Sequence, residues 1–497
     1  MVIEFKPLNE EAPLRLDDDS LQQIIRKDAG ELTNRLDDLN EFRDYYEGDQ
    51  ELNFSTEEFI DTFGLQFADL RSNWMGVVIE AMEERLDVQR ILMRNEAGDV
   101  EEDLSDDIWR VLLENEMEQL QNDVYNGALV EGRSYALVWP DDFNPEVPRV
   151  DFQRAQNMIV TYHPEDIKVI DRATKRWTTP DGGQRLTIYT RDFLYKYKLD
   201  PTGDVDPEDI VPRDTGWQQF EIAESGDPTW PLPNPFGEVP IVEFWNRSRK
   251  SELRDLVPLQ DALNKTMRDM MIANEYQAQN IIYLVTSNEE PDGGWKASPG
   301  TVWHIQPEVD FEGNSMDVQV GTIDASNPDN FIATMETFLQ HIVAISRTPA
   351  HYFYLSSKQG GRGDAPSGEA LRVAETGLLK KVQKTQELWG LRWMRVARFV
   401  TMALGNFDPE VPLIGNTVWT HPMAHFKSIL LEEGRQMIAD LGLPPEIAWR
   451  HVGLTEEEIE DAEAEGFDRN RDEEDEESES SSNVTEISPS TSPDTDS

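Results

Sequence analysis

The sequence predicts an α+β protein whose helical and strand-rich stretches occupy separate parts of the chain. Three observations lead there. Apolar residues recur at three- and four-residue spacing up to about residue 130, and short alternating runs crowd residues 158–244. After residue 250, long helical patterns are interrupted by one small β-rich insert. A chain of 497 residues is long enough for two to four domains with substantial cores.

Leu21, Ile24, Ile25, Leu32, Leu36 and Leu39 predict one helix reaching Tyr45–Gly48, with Gly48 suited to the left-handed position after its end. Asn73 is placed to cap a second helix that carries Met75, Ile79, Met82 and Leu86. A third is expected from Asp106 to Leu129 on Ile108, Leu112, Met117, Leu120 and Val124. It stops at Glu131-Gly132, before a strand over Ser134–Trp139. Strands follow at Met158–His163, Ile167–Asp171, Arg185–Thr190, Phe193–Leu199 and Pro240–Asn246, each with alternation or β-branched and aromatic content. Between the last two, Asp200–Gly237 is rich in Pro, Gly and Asp and reads as an exposed excursion. Its Trp217, Trp230 and Phe236 are expected to anchor it to the body rather than to form a sugar-binding platform.

A helix from near Ser251 to Ala278 carries Leu253, Leu256, Leu259, Leu263, Met267 and Met270. Strands at Ile281–Thr286, Thr301–Gln306 and Met316–Ile323 then form a β unit too small to bury a core alone, so neighbouring copies are expected to complete it. The returning helix, Asn330–Ile345, ends before Pro349, which lacks an amide hydrogen and crowds the preceding turn. Ser367 then caps a helix of about ten turns with Leu371, Leu378, Val382, Leu388, Leu391, Met394 and Phe399 as its apolar positions. Its Lys380, Lys381, Lys384, Arg392, Arg395 and Arg398 are candidates for pairing with carboxylates of a neighbouring subunit rather than with DNA. Two short helices, Phe426–Asp440 and Glu446–His451, close the folded part, with a further acidic helix expected from Leu454. After Asp468 a Glu/Asp run and a Ser/Thr/Pro tail hold too little apolar surface to fold.

Charge and composition narrow the function. The net charge is −53, of which Glu456–Ser497 supplies −16, so the rest of the chain still carries −37. Such a surface repels phosphates at long range, and contact with DNA is expected to be local and transient. There is no cysteine, and the seven histidines lack zinc-ligand spacing. His163, His304 and His351 read as structural. No phosphate-binding GxxxxGK[ST] motif occurs, and neither a membrane span nor a secretory leader is expected. No cofactor or metal is expected. Carboxylate pairs suit a glycan hydrolase in principle, but with 98 acidic residues a pair always exists on paper. A glycan hydrolase using paired carboxylates is the enzymatic alternative, and a connector or scaffold the structural one.

The stretch Ser346–Arg372 joins the two C-terminal helices through an aromatic cluster and a Gly-rich run with Lys358 and Arg362. The Arg362–Asp364 triplet matches a cell-adhesion tripeptide, a match expected by chance. With YYEGDQ (45–50), NWMGVVIEAMEERL (73–86), GALVEGRSYALV (127–138), NPFGEVPIVEFWN (234–246), SELRDLVPLQDALNKTMRDM (251–270) and SRTPAHYF followed by SGEALR, the chain resembles tailed-bacteriophage portal proteins of the group found in phages of Gram-positive and actinobacterial hosts. The resemblance covers residues 35–405. It implies the portal fold, with wing, stem, clip and crown regions assembled as a twelve-copy ring with an axial channel for packaging and ejecting double-stranded DNA. It divides the chain into a wing (1–250), a stem helix (251–279), a clip (280–328), a second stem helix (329–346), a tunnel loop (347–366), a long kinked helix with wing return (367–419), a crown-like helical region (420–467) and an acidic tail (468–497). Lys358 and Arg362 become candidates to face DNA. The implied partners are further copies, passing DNA, the terminase large subunit, a head-completion or adaptor protein, the major capsid protein and a scaffolding protein. The implied location is the portal vertex of the virion, after assembly in the host cytoplasm, and no catalytic role is implied.

Overall fold

The computed structural model describes residues 13–51, 70–95, 97–141, 144–200, 216–220, 230–278, 282–285, 319–322, 328–353, 368–405, 414–422, 427–454 and 459. The fold is mixed α+β, and the chain divides into two compact units, 1–419 and 420–497.

The first helical stretch is two helices, α1 (Asp18–Asn34) and α2 (Leu36–Glu47), where the spacing of leucines predicts one. The break serves Arg35, whose guanidinium donates to the carbonyls of Ala155, at 2.5 Å, and Met158. Gly48 ends α2 at φ 86°, the left-handed conformation expected of it. Helix α3 (Met75–Glu83) begins as predicted: the Asn73 side chain accepts hydrogen bonds from the amides of Met75 and Gly76. The expected third helix is also divided, into α4 (Glu102–Glu114) and α5 (Met117–Val130). Asn115 explains the division. Its side chain donates to the carbonyls of Val111 and Pro148 and accepts from the amide of Val150, while Glu116 takes a positive φ of 56°. A helix-interior asparagine has thus become the clasp that holds the next strand against the helix end.

Two sheets occupy the middle of the first unit. Strand β1 (Val88–Arg94) precedes α4, and β2 (Arg133–Trp139) lies between β3 (Arg149–Arg154) and β10 (Ile241–Trp245) in a three-stranded antiparallel sheet. The other sheet is an antiparallel meander of β4 (Met158–Tyr162), β5 (Ile170–Thr178), β6 (Gln184–Thr190) and β7 (Phe193–Leu199). The short β8 (Gln218–Gln219) and β9 (Leu232–Pro233) both pair with β7. Helix α1 lays Leu21, Ile25 and Ala29 on Leu186, Ile188, Tyr195 and Tyr197 of this sheet, and Trp217 joins the same cluster. Trp230 packs edge-on against Tyr195 and Tyr197, and Phe236 is buried, so all three aromatics of the excursion anchor it to the body.

Helix α6 (Val257–Ala278) and helix α7 (Pro328–Ser346) pack on each other, and β11 (Ile282–Val285) pairs antiparallel with β12 (Gln319–Thr322) between them in sequence. The expected strand at Thr301–Gln306 lies outside the described residues. After a short 3-10 turn (Ala350–Phe353), α8 (Gly368–Ala403) runs unbroken for 36 residues. Strand β13 (Ile414–Trp419) then returns to pair antiparallel with β1, Val88 opposite Trp419 and Arg94 opposite Ile414. This pairing joins positions more than 300 residues apart, and neither strand was expected. The second unit holds α9 (Lys427–Ala439) and α10 (Pro445–Val452), close to the expected bounds, packed on each other. There the His451 Nε2 lies 3.0 Å from the Glu433 carboxylate, and the His421 and His451 rings meet edge to face.

Candidate functional site

Helix α8 is fastened within the first unit by two tryptophans together with the expected Leu378 and Val382. Leu378, Val382, Trp389, Trp393, Val396 and Val400 form its buried stripe, whereas Leu391, expected inside, is 68% exposed. Trp389 stacks on Tyr125 of α5 with ring centroids 4.9 Å apart, and Trp393 meets the same ring edge-on. Both indoles are also satisfied: Trp393 Nε1 donates to the Tyr125 hydroxyl at 2.8 Å, and Trp389 Nε1 to the carbonyl of Trp245 at 3.0 Å. Large rings with paired polar edges fix both position and rotation of a helix.

The two ends of the stretch 354–367 are held at one buried node. On the α7 side, Ser346 and Thr348 are buried, and the Thr348 amide donates to Ser346 Oγ. Arg347 adopts φ 62°, an uncommon conformation for a residue with a side chain, and turns the chain into the 3-10 segment. Phe353 then packs on Trp74, with centroids 5.5 Å apart. On the α8 side, Glu375 is 3% exposed. Its carboxylate lies 3.5 Å from the guanidinium of buried Arg85 and 3.4 Å from His351 Nε2. Arg85 also donates to the Ala81 carbonyl at 2.9 Å and to the Tyr352 hydroxyl, with its guanidinium over the Tyr352 ring. Burial raises the pKa of the Tyr352 hydroxyl against the opposing effect of Arg85, so the phenol stays protonated and able to donate. Six residues further along α8, Lys381 Nζ bridges the Glu252 carboxylate at 2.6 Å and the Ser346 carbonyl at 3.3 Å.

This arrangement does no bond chemistry. It ties the C-terminal end of α7, the N-terminal part of α8 and the residues just after α3 into one charged knot centred on the desolvated Arg85 and Glu375. The network carries both specificity and risk, because loss of one member leaves a buried charge alone.

The predicted site residues are distributed as follows. Lys358 and Arg362 lie outside the described residues. Of the six cations on α8, Lys381 pairs with Glu252 and Arg398 with Glu238, the latter at 2.5 Å, while Arg395 donates to the Lys168 carbonyl. Arg392 stacks 3.6 Å over the Trp245 ring, and Lys380 and Lys384 are exposed. His351 touches the node, His163 accepts from the Glu165 amide, and His304 is outside the described residues. Sequence reasoning missed Arg85 and Glu375, although a signal was present. Val78, Met82 and Arg85, like Leu371, Glu375 and Leu378, follow helical spacing, so each charge stands at an inward-facing position.

A family model described as phage portal protein, SPP1 Gp6-like, matches residues 26–476. The chain belongs to that family. Portal proteins of Mycobacterium phages D29 and L5 are each 23% identical to it, over 348 and 349 residues, which is 65% of this chain and 64% of theirs. The matched part thus spans a little under two thirds of those relatives' length. Among solved structures, a chain in the neck of an empty gene transfer agent particle, computed with C6 symmetry, is 14% identical with a TM-score of 0.39, covering 81% of this chain and 94% of that one. A chain from the virion of the native particle is 13% identical with a TM-score of 0.38, covering 76% and 88%. The portal family is structural and non-catalytic. Among the described residues no cluster of three or more His, Cys, Asp or Glu is placed to hold a metal ion.

Proposed function

We propose that this chain is a working portal: twelve copies close into a ring with an axial channel at one capsid vertex, through which double-stranded DNA is packaged and later ejected. Family membership over residues 26–476 is the observation that carries this reading. On it, residues 1–250 form the wing, 251–279 and 329–346 the stem helices, 280–328 the clip, and 347–366 the tunnel loop. Residues 367–419 form the long helix and wing return, 420–467 the crown-like region, and 468–497 an acidic tail. The clip docks the terminase large subunit during packaging and a head-completion protein afterwards, and the ring meets the major capsid protein, with a scaffolding protein as a further partner during assembly.

Two physical features support the channel. A body carrying −37 outside its acidic C-terminal stretch does not grip phosphates along its length, which suits cargo that must move through many base pairs. The node formed by buried Arg85 and Glu375 with His351, Tyr352 and Lys381 gives the proposed tunnel loop stiff ends. Lys358 and Arg362 then supply brief contacts to passing phosphates. The test is Lys358→Ala/Arg362→Ala in the phage: rings form at normal yield, while the amount of DNA packaged or retained per particle changes. Loss of ring formation, with normal DNA handling by the rings that do form, removes these residues from the channel.

A further inference from the structure

The cations that the α8 sequence suggested are only half of a basic surface that the fold assembles. Trp245–Arg254, the turn after β10, carries four cations and one carboxylate, and Leu379–Arg398 of α8 carries six and one, in a chain of net charge −53. The two segments are 125 residues apart in sequence, but three contacts lay them side by side: Lys381 with Glu252, Trp389 with the Trp245 carbonyl, and Arg392 on the Trp245 ring.

Within this belt the fold uses some cations and leaves others. Glu243 is buried, accepts a hydrogen bond from the Tyr162 hydroxyl and lies 3.7 Å from Arg133 and 3.9 Å from Arg249. Arg249 stacks on Trp245 from 4.4 Å and holds a left-handed φ of 54°, a conformation that costs about 1–3 kcal/mol and persists only where surroundings enforce it. Arg392 also lies over the Trp245 ring, yet its guanidinium makes no hydrogen bond or ion pair among the described residues, and its Nε is buried without a partner. Burial, and then the nearby charges of Arg395 and Arg249, push it down to about 10, so it stays a cation at neutral pH. Arg247, Lys250 and Arg254 are exposed and unpaired among the described residues, as are Lys380 and Lys384. The turn borders a cleft of about 480 Å³ to which Arg35, Arg133, Lys250 and Arg254 contribute, with Glu31 and Asp38.

We propose that this belt is one half of the contact between copies, receiving carboxylates from an acidic face of the next subunit. Chains of charge −53 repel one another, so association needs a place where charge of the other sign is concentrated and already ordered. A planar guanidinium held on an indole, with its donors unused, is preorganised for a carboxylate. The receiving face differs from the offering face, which makes the contact head-to-tail and able to close a ring. The proposal rests on the ring reading and adds the surface that builds it.

The experiment compares the purified full-length chain with Arg247→Glu/Lys384→Glu, both exposed positions, and with Arg149→Glu/Lys198→Glu, which changes net charge equally away from the belt. Mass photometry gives the assembled fraction, circular dichroism the fold, and gel shift the binding of a double-stranded DNA fragment. Expected is a folded belt variant that needs about tenfold or more protein to reach half-assembly, with the control near wild type. Arg392→Lys, which keeps the charge and loses the fork, is expected to weaken assembly less than reversal does. Normal assembly of the belt variant overturns the proposal, and normal assembly with lost DNA binding reassigns the belt to nucleic acid. Wild-type protein that never assembles removes the ring reading itself, and the belt proposal with it.

Discussion

Replacing Arg85 by Met tests whether the node beneath the proposed tunnel loop holds the chain together as its geometry implies. Arg85 and Glu375 have side chains 3% and 4% exposed and 3.5 Å apart. At an effective dielectric of about 20, two charges at that distance attract by roughly 5 kcal/mol, most of which desolvation offsets, so the intact pair is close to neutral for stability. The vacated state is not neutral. Arg85→Met leaves a buried carboxylate facing an apolar side chain, with His351 as its remaining neighbour, and is expected to cost about 3–5 kcal/mol. Glu375→Leu is expected to cost less, because Arg85 keeps its bonds to the Ala81 carbonyl and the Tyr352 hydroxyl. The double variant should lose about 2–3 kcal/mol less than the sum of the two. Denaturant unfolding of all four proteins measures this cycle. Additive losses, or an Arg85→Met cost under about 1 kcal/mol, refute the idea that these charges depend on each other.

Three further outcomes follow from other parts of the fold. Trp393→Phe keeps most of the ring but removes the donor to Tyr125, and is expected to lower stability by about 1–3 kcal/mol in the same unfolding assay, where an unchanged midpoint contradicts the role given to that bond. Gly132 has φ 82°, and a Cβ there meets the Lys250 backbone at 2.8 Å, so Gly132→Ala is expected to cost more than about 2 kcal/mol, and a neutral result shows that the turn shifts freely. His421 lies below its ordinary value of 6.5, first through burial and then through His451. As pH falls through 6.5 the unfolded chain takes up this proton before the native one does, so stability drops with acidification until native His421 also titrates. Unfolding temperature should therefore be lower at pH 5.5 than at pH 7.5, and His421→Gln should reduce that difference. An identical difference in both proteins removes His421 as its source.

What could be read from the sequence was what local periodicity and turn chemistry control. Gly48, Asn73, β4, β6, β7 and α7 satisfy local rules, and each stands close to where spacing placed it, whereas β5 runs over Ile170–Thr178 rather than the expected Ile167–Asp171, whose Ile167 and Val169 are exposed. The failures share one cause, a distant partner that overrides a local pattern. Asn115 breaks a well-formed helical period because it clasps Pro148 and Val150, and β1 forms a strand because β13 arrives more than 300 residues later. On α8 the period placed Leu378, Val382 and Phe399 inside, as found, but it also put Leu391 there, which faces out, and passed over Trp389 and Trp393. The charged node was half visible. Arg85 and Glu375 interrupt two apolar periods in phase, but only the fold shows that each interruption answers the other. Lys358 and Arg362, named from sequence, lie outside the described residues and stand as proposals.

Electron microscopy of the purified full-length protein tests the portal reading most directly. A closed ring with an open axis, radial wings and its narrowest point formed by the proposed tunnel loop, residues 347–366, is the expected image. A compact particle with no axial channel, or an open filament of stacked copies, contradicts it.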